Sequence, residues 1–252
     1  QVVDEIEKLA KYINIRVLGV YGGTNINTQK QAVAQGVDII VATPGRLYDL
    51  ALSNVLKLKS IQKLVIDEVD IMLDLGFRFQ LLNIFDLLPK SRQNIMFSAT
   101  MTNDVDELIK DFFKSPKKIS VALSGTPLDN IKQTSYLVTN FYTKANLLNH
   151  LLADRDTFTK VLVFVSNKRR ADLLFNVVEE HFGSESCIIH SNKTQNYRIR
   201  SIRQFDEGSN RILVATDVMA RGLDLDGISH VINFDTPYFP ENYMHRIGRT
   251  GR

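Results

Sequence analysis

The sequence is nearly without cysteine: Cys187 is the only one in 252 residues. An internal disulfide is thereby excluded. A closed zinc site is argued against too, because such sites draw on several thiolates or imidazoles at set spacings, and the five histidines are scattered. Cys187 lies in the apolar run Ser186-Cys187-Ile188-Ile189-His190, where a small buried side chain is expected rather than a reactive thiol. No apolar run comes near the roughly 20 residues that cross a bilayer, which argues against a membrane span. The opening Gln1-Val2-Val3-Asp4-Glu5 lacks the basic-then-apolar layout of a signal peptide. It also lacks a Met, which suggests a chain that begins inside a longer protein. A cytoplasmic location is the expectation.

What is present is a globular composition, 44% hydrophobic and 23% charged. A net charge of +3 and a pI near 8.9 permit a polyanionic partner without requiring one. The length has room for two ordinary domains.

Short apolar runs alternate with stretches of helical period, the pattern of a parallel sheet covered by helices, so the expected fold class is α/β. Strands are predicted at 16–21, 37–42, 63–67, 93–98 and 118–123, then at 135–141, 161–165, 186–190, 211–215 and 230–234. One predicted helix puts Val105, Leu108, Ile109, Phe112 and Phe113 on one face, with Asn103 or Asp104 as N-cap. Another starts near Asn167 and turns Ala171, Leu174, Val178 and Phe182 inward. Gly125, Pro127 and small polar neighbours mark a linker at 123–132 between domains at 1–122 and 133–252. Both domains are expected to be truncated, the first at its start and the second after Arg252.

The sharpest local signal is Leu64-Val65-Ile66 running into Asp67-Glu68-Val69-Asp70. An apolar strand ending in adjacent carboxylates is how nucleoside triphosphatases present one acid to magnesium and a second to water. Sheets of this class bind ligands beyond the carboxyl ends of their strands. A solvated acidic strand end is the bland alternative. Ser98-Ala99-Thr100 ends the next strand, with hydroxyls that could bond those acids or simply cap a helix. Thr43-Pro44-Gly45-Arg46 and Tyr21-Gly22-Gly23-Thr24 are Gly-bearing strand ends, either phosphate cradles or plain turns. Val214-Ala215-Thr216-Asp217 leads into Ala220-Arg221-Gly222-Leu223-Asp224. His245-Arg246-Ile247-Gly248-Arg249-Thr250-Gly251-Arg252 is expected to carry too much charge to pack and too much glycine for a stable helix. Its arginines suit bidentate phosphate contact and transition-state charge.

The order of these segments resembles the DEAD-box helicases of superfamily 2. Asp67 to Asp70 resembles motif II, Ser98 to Thr100 motif III, and Thr43 to Arg46 motif Ib. Val163-Phe164-Val165-Ser166-Asn167 resembles motif IV, and Gln195-Asn196-Tyr197-Arg198 the adjoining Q-x-x-R element. Thr216 to Asp224 resembles motif V, and His245 to Arg252 motif VI. Val69 stands where the family usually has Ala, at a position expected to face packing rather than metal. The family's phosphate-binding loop, adenine-reading motif and first RNA-contacting motif should precede Gln1, and no G-x-x-x-x-G-K-S/T pattern occurs in the sequence.

The resemblance implies two RecA-like domains with ATP between them and RNA across both. It implies that Asp67 holds Mg2+ through water and that Glu68 orients and deprotonates the attacking water. Arg249 and Arg252 would reach the γ-phosphate, and Asp224 the ribose. Asp70 and His245 would couple the domains, with Ser98, Thr100 and Arg246 beside them. RNA contacts would come from Gly22, Gly23, Thr43, Gly45, Arg46, Gln195, Arg198, Thr216 and Gly222, mostly to phosphate and sugar and so independent of base sequence. Lys168, Arg169 and Arg170 could add electrostatic grip on RNA, with a solvated basic helix start as the plainer reading. Two other readings stand beside this one: another superfamily 2 motor acting on DNA or RNA, and a non-catalytic RNA clamp.

Overall fold

The computed structural model describes residues 1–120, 130–220, 223 and 225–251. They fall into two compact units, Gln1–Ser120 and Val121–Arg252.

The first unit runs α1 (Val2–Leu9), β1 (Val17–Val20), α2 (Ile26–Ala34), β2 (Ile39–Ala42), α3 (Pro44–Leu52), β3 (Lys63–Ile66), α4 (Val69–Asp74), α5 (Arg78–Leu87), β4 (Gln93–Met96) and α6 (Asn103–Phe112). Its strands pair in parallel, but as two separate pairs, β1 with β2 and β3 with β4, rather than as one sheet. Register sets Val20 opposite Ala42 and Ile66 opposite Met96. Each pair therefore ends level, and the loops that follow emerge side by side. Pro44 opens α3 at its first turn, where a missing N–H costs nothing. The N-cap of α6 is Thr102, whose side chain accepts from the Val105 N–H at 3.4 Å. Asn103 and Asp104 were the expected caps and are instead the first helical residues, because the extended backbone that a cap needs falls at Thr102. Val105 and Leu108 are fully buried against Ile66, Val69 and Phe85, with Ile109, Phe112 and Phe113 packed beside them. β3 and β4 are only half covered, Val65 being 59% and Ile95 37% exposed.

The second unit runs α7 (Phe141–Ala153), β5 (Val161–Val165), α8 (Lys168–Phe182), β6 (Ser186–Ile189), α9 (Gln195–Asp206), β7 (Ile212–Thr216), α10 (Asp217–Ala220), β8 (His230–Asn233) and α11 (Pro240–Ile247). Its four strands form one parallel sheet in the order β6-β7-β5-β8. Every residue of β5, β6 and β7 is buried, as strands covered on both faces must be, which is why they read as unbroken apolar runs. Alternate side chains serve opposite faces: Val161, Val163 and Val165 join Leu148, Leu174 and Val178 on one, while Leu162 and Phe164 join Phe205 and Ala220 on the other. Asn167 caps α8 by accepting from the Arg170 N–H at 3.1 Å, and Ala171, Leu174 and Val178 point into the core as expected. Cys187 is buried, and burial pushes its thiol up to about 12, so it is inert.

Among the described residues two predicted strands are not found. Residues 118–120 are irregular, and 121–123 lie outside the described residues, as does 123–129 of the predicted linker. Residues 135–139 are also irregular, and Phe141 begins α7 instead. The Asn140 side chain accepts from the Thr143 N–H at 3.0 Å, which starts a helix whose Ala145, Leu148 and Leu152 face inward. Among the described residues no helix is long and apolar enough to cross a membrane.

Candidate functional site

In the first unit the chain turns from β3 into α4 at Glu68, which adopts the left-handed conformation, φ 48° and ψ 47°. For a residue with a Cβ that conformation costs on the order of 1–3 kcal/mol and is kept where the surroundings impose it. The turn leaves Asp67 exposed and Glu68 half-buried at the strand end, while Val69 and Asp70 go inside. Asp67 Oδ1 accepts the Glu68 N–H at 2.9 Å. Val69 is fully buried among Ile66, Leu81 and Leu108, the packing position expected for it. Asp70 is 4% exposed, and its Oδ2 accepts two bonds from Thr100, from the N–H at 2.9 Å and the hydroxyl at 2.7 Å. Its Oδ1 is buried without a partner in the structure. Ser98 Oγ donates to the Thr100 carbonyl at 2.6 Å. Beyond the paired strands the ladder continues, Phe97 N–H to Ile66 O at 2.8 Å and Val69 N–H to Phe97 O at 3.2 Å, and this brings residues 67–70 and 98–100 together.

At the other strand pair, Arg46 donates from Nη1 to Gln29 Oε1 at 2.8 Å and from Nη2 to the Thr24 carbonyl at 3.0 Å. Gln29 Nε2 bonds Thr24 Oγ1 and the Tyr21 carbonyl. Gly22 and Gly23 are thereby held next to Thr43, Gly45 and Arg46, and Arg46 binds the two loops together through Nη1 and Nη2. Gly22 and Gly45 face open space where a side chain would sit, so their backbones are approachable.

In the second unit the carboxyl ends of the parallel strands gather Ser166, His190, Thr216 and Asp235 at one edge of the sheet. Thr216 ends β7. Gln195 and Arg198 lie one turn apart at the start of α9, bonded to each other, and Arg198 Nη1 also reaches Met219 Sδ at 2.8 Å. His245 lies on α11, and its Nδ1 is buried without a partner in the structure. Arg246 is 2% exposed. Its Nε and Nη2 grip the Asp217 carboxylate at 2.5 and 2.7 Å. Its Nη1 donates to Asn233 Oδ1 at 2.9 Å and the Asp235 carbonyl at 2.7 Å, and its guanidinium lies 4.9 Å from the Phe164 ring centroid. Arg249 Nη1 donates to the Leu223 carbonyl at 2.6 Å. Gly222, Asp224 and Arg252 lie outside the described residues.

Sequence reasoning missed the Asp235 hub. Its Oδ2 accepts from the Ser166 N–H and Oγ, both at 3.0 Å, and Arg170 clasps both oxygens at 2.8 Å. Lys144 approaches Oδ1 at 3.3 Å. Arg170 is thus an internal partner rather than part of a solvated basic face. The signal was an acid at the end of an apolar strand, the same one that singled out Asp67. Burial alone would raise the Asp235 carboxyl, but the Ser166 and Arg170 donors outweigh it and hold it below the ordinary value of 3.8. A carboxyl depressed on folding adds stability above its unfolded pKa, and that stability is lost as pH falls through the folded value. Asp235→Asn is therefore expected to lower the urea midpoint at pH 7, by a margin that shrinks below about pH 4. A gap that stays constant across an acid titration would contradict this.

The carboxylate at Asp67 also bears on metal binding. Magnesium is commonly held by one or two carboxylates, with waters and phosphate oxygens filling the rest of its shell. A single exposed Asp67 at a strand end fits that donor set.

Residues 1–108 match the family model described as DEAD/DEAH box helicase, and residues 143–252 match that of the helicase conserved C-terminal domain. The chain is 40% identical over its whole length to the DEAD-box ATP-dependent RNA helicase CshA of Bacillus cereus, spanning 47% of that protein. It is likewise 40% identical to the ATP-dependent RNA helicase DBP2 of Lodderomyces elongisporus, spanning 46% of it. The chain thus spans about half the length of these curated relatives. Among solved structures, it resembles S. cerevisiae Dbp5 bound to RNA and ADP BeF3, with a TM-score of 0.85 and 29% identity, covering all of this chain and 65% of that one.

Proposed function

Because this chain belongs to the DEAD-box helicase family and its two α/β units are RecA-like, we propose that the whole protein is an ATP-dependent RNA helicase. It would hydrolyse ATP when RNA is bound and use closure of its domains, divided at 1–122, 123–132 and 133–252, to separate short duplexes. The observation that carries the reading is the turn at Glu68, a strained residue that sets two carboxylates at a strand end and buries a third, Asp70, with one oxygen left unpartnered.

Asp67 would hold Mg2+, which when bound neutralises phosphate charge. Glu68 orients the attacking water and takes its proton. Arg249, with Arg252, stabilises charge on the γ-phosphate as an arginine finger, and Asp224 bonds the ribose. The unpartnered Oδ1 of Asp70 and Nδ1 of His245 are complementary groups that would satisfy each other on closure, while Ser98 and Thr100 hold Asp70 in position. A buried polar atom without a partner costs about 1–3 kcal/mol, so such a bond favours the closed state. Arg246 serves this site from behind by fixing α11 to Asp217 on α10. Gly22, Gly23, Thr43, Gly45, Arg46, Gln195, Arg198, Thr216 and Gly222 would bind the RNA backbone through amides, hydroxyls and single cations, with Arg46 also bracing the two loops of the first unit. Such contacts position a strand without reading its bases, and the 2′-hydroxyl marks it as RNA. The reading places the protein in the cytoplasm, where Cys187 would stay reduced.

Strand separation tests this. The full-length protein is expected to release the short strand of an overhanging RNA duplex only when ATP is supplied, and to bind a pool of random RNAs without base preference. ATP-independent release, or a strong preference within the pool, would contradict the proposal.

A further inference from the structure

His190 is the imidazole at the carboxyl end of β6 and is 1% exposed. Both of its ring nitrogens are engaged. Nδ1 accepts the Asn192 N–H at 3.3 Å, which leaves the ring proton on Nε2, 3.0 Å from Asp172 Oδ1 on α8. The same oxygen accepts from Lys193 Nζ at 3.1 Å, and Lys168, the first residue of α8, donates to Asn192 Oδ1 at 3.1 Å. The first of these bonds closes the turn at 190–192, and the other three tie residues 190–193 to the first turns of α8. The next residue, Thr194, caps α9 by accepting from the Tyr197 N–H at 3.3 Å, and Gln195 follows at once.

We propose that Asp172 and His190 form a clamp that positions the start of α9, so that Gln195 and Arg198 meet the RNA backbone in register. This inference rests on the reading of those two residues as RNA contacts. Neither Asp172 nor His190 belongs to the segments that identified the site, and among the described residues neither is hydrogen-bonded to a nucleotide-handling one. A buried ring with both nitrogens satisfied is costly to build where an aliphatic side chain would pack. Its bonds fix the one loop from which α9 is launched. Burial alone would raise the Asp172 carboxyl, yet His190 and Lys193 hold it below the ordinary value of 3.8, which keeps it a charged acceptor for both donors at neutral pH. The clamp matters because the Arg198 guanidinium is already held by Gln195 and Met219. Its reach is therefore set by where the helix begins rather than by side-chain freedom.

The test is the RNA-stimulated ATPase of the full-length protein, with the half-saturating concentration of single-stranded RNA and the KM for ATP measured for Asp172→Ala, Asp172→Asn and Arg198→Ala. Asp172→Ala is expected to raise the half-saturating RNA about tenfold, the weight of one charge-assisted hydrogen bond, with the KM for ATP unchanged. Asp172→Asn keeps an oxygen for His190 but no charge for Lys193, so it should fall between wild type and Ala. It also supplies the answer should the Ala variant fold poorly. If Arg198→Ala weakens RNA stimulation while both Asp172 variants match wild type, the clamp is refuted and the RNA reading stands. If the RNA and ATP constants of the Asp172 variants move together, the role is general support of the fold, and the proposal fails. If Arg198→Ala itself changes nothing, the RNA reading of α9 falls and takes the clamp with it.

Discussion

Arg249→Ala in the full-length protein is expected to lower ATP turnover by roughly 10³–10⁵, the value of an arginine finger in related phosphoryl transfers, while ATP affinity stays within a few-fold. The argument begins with the side chain's setting. Arg249 lies two residues beyond the end of α11, where Gly248 and Gly251 bracket it, and its Nη1 donates to a backbone carbonyl at 2.6 Å. That bond orients the guanidinium just past the helix end. A finger acts on charge that develops during transfer, which is why binding of ground-state ATP should be nearly spared. Single-turnover hydrolysis beside a nucleotide-binding titration separates the two quantities, and near-normal turnover would remove Arg249 from the site.

Arg246→Ala should fail differently. Its guanidinium is buried and makes four hydrogen bonds, so truncation leaves the half-buried Asp217 carboxylate without its partner. Breaking a buried pair from one side costs roughly 3–5 kcal/mol, which would show as a large drop in the denaturant midpoint. Lys cannot restore the two-pronged grip on Asp217, so Arg246→Lys should recover only a minor part of the loss. A variant as stable as wild type would show that the Asp217–Arg246 clasp contributes nothing to the second unit. Two arginines three residues apart in one motif are thus predicted to separate cleanly, one into rate and the other into stability.

The sequence made some of this legible. Val161–Val165 and Ile212–Thr216 announced themselves because strands buried on both faces leave no polar alternation to blur them. Residues 135–141 misled because Tyr136, Leu137 and Val138 favour strands locally, yet Tyr136 and Leu137 are exposed and Asn140 diverts the chain into α7. The acids at 67, 68 and 70 were visible as a motif, but not the division of labour among them. That depends on the left-handed turn at Glu68 and on Thr100, 30 residues away in the chain. Likewise Arg246 read as one of three similar arginines until its partner Asp217, 29 residues distant, set it apart. Pairings across a fold leave no periodic trace. The Asp235 hub and the His190 clamp, built from residues on separate elements, were hidden for the same reason.

The most direct measurement is ATP hydrolysis by the full-length protein with single-stranded RNA or DNA of the same sequence, beside a Glu68→Gln control. The account predicts stimulation by RNA alone and its loss in the control. Equal stimulation by DNA, or hydrolysis that survives without the Glu68 carboxylate, would contradict it.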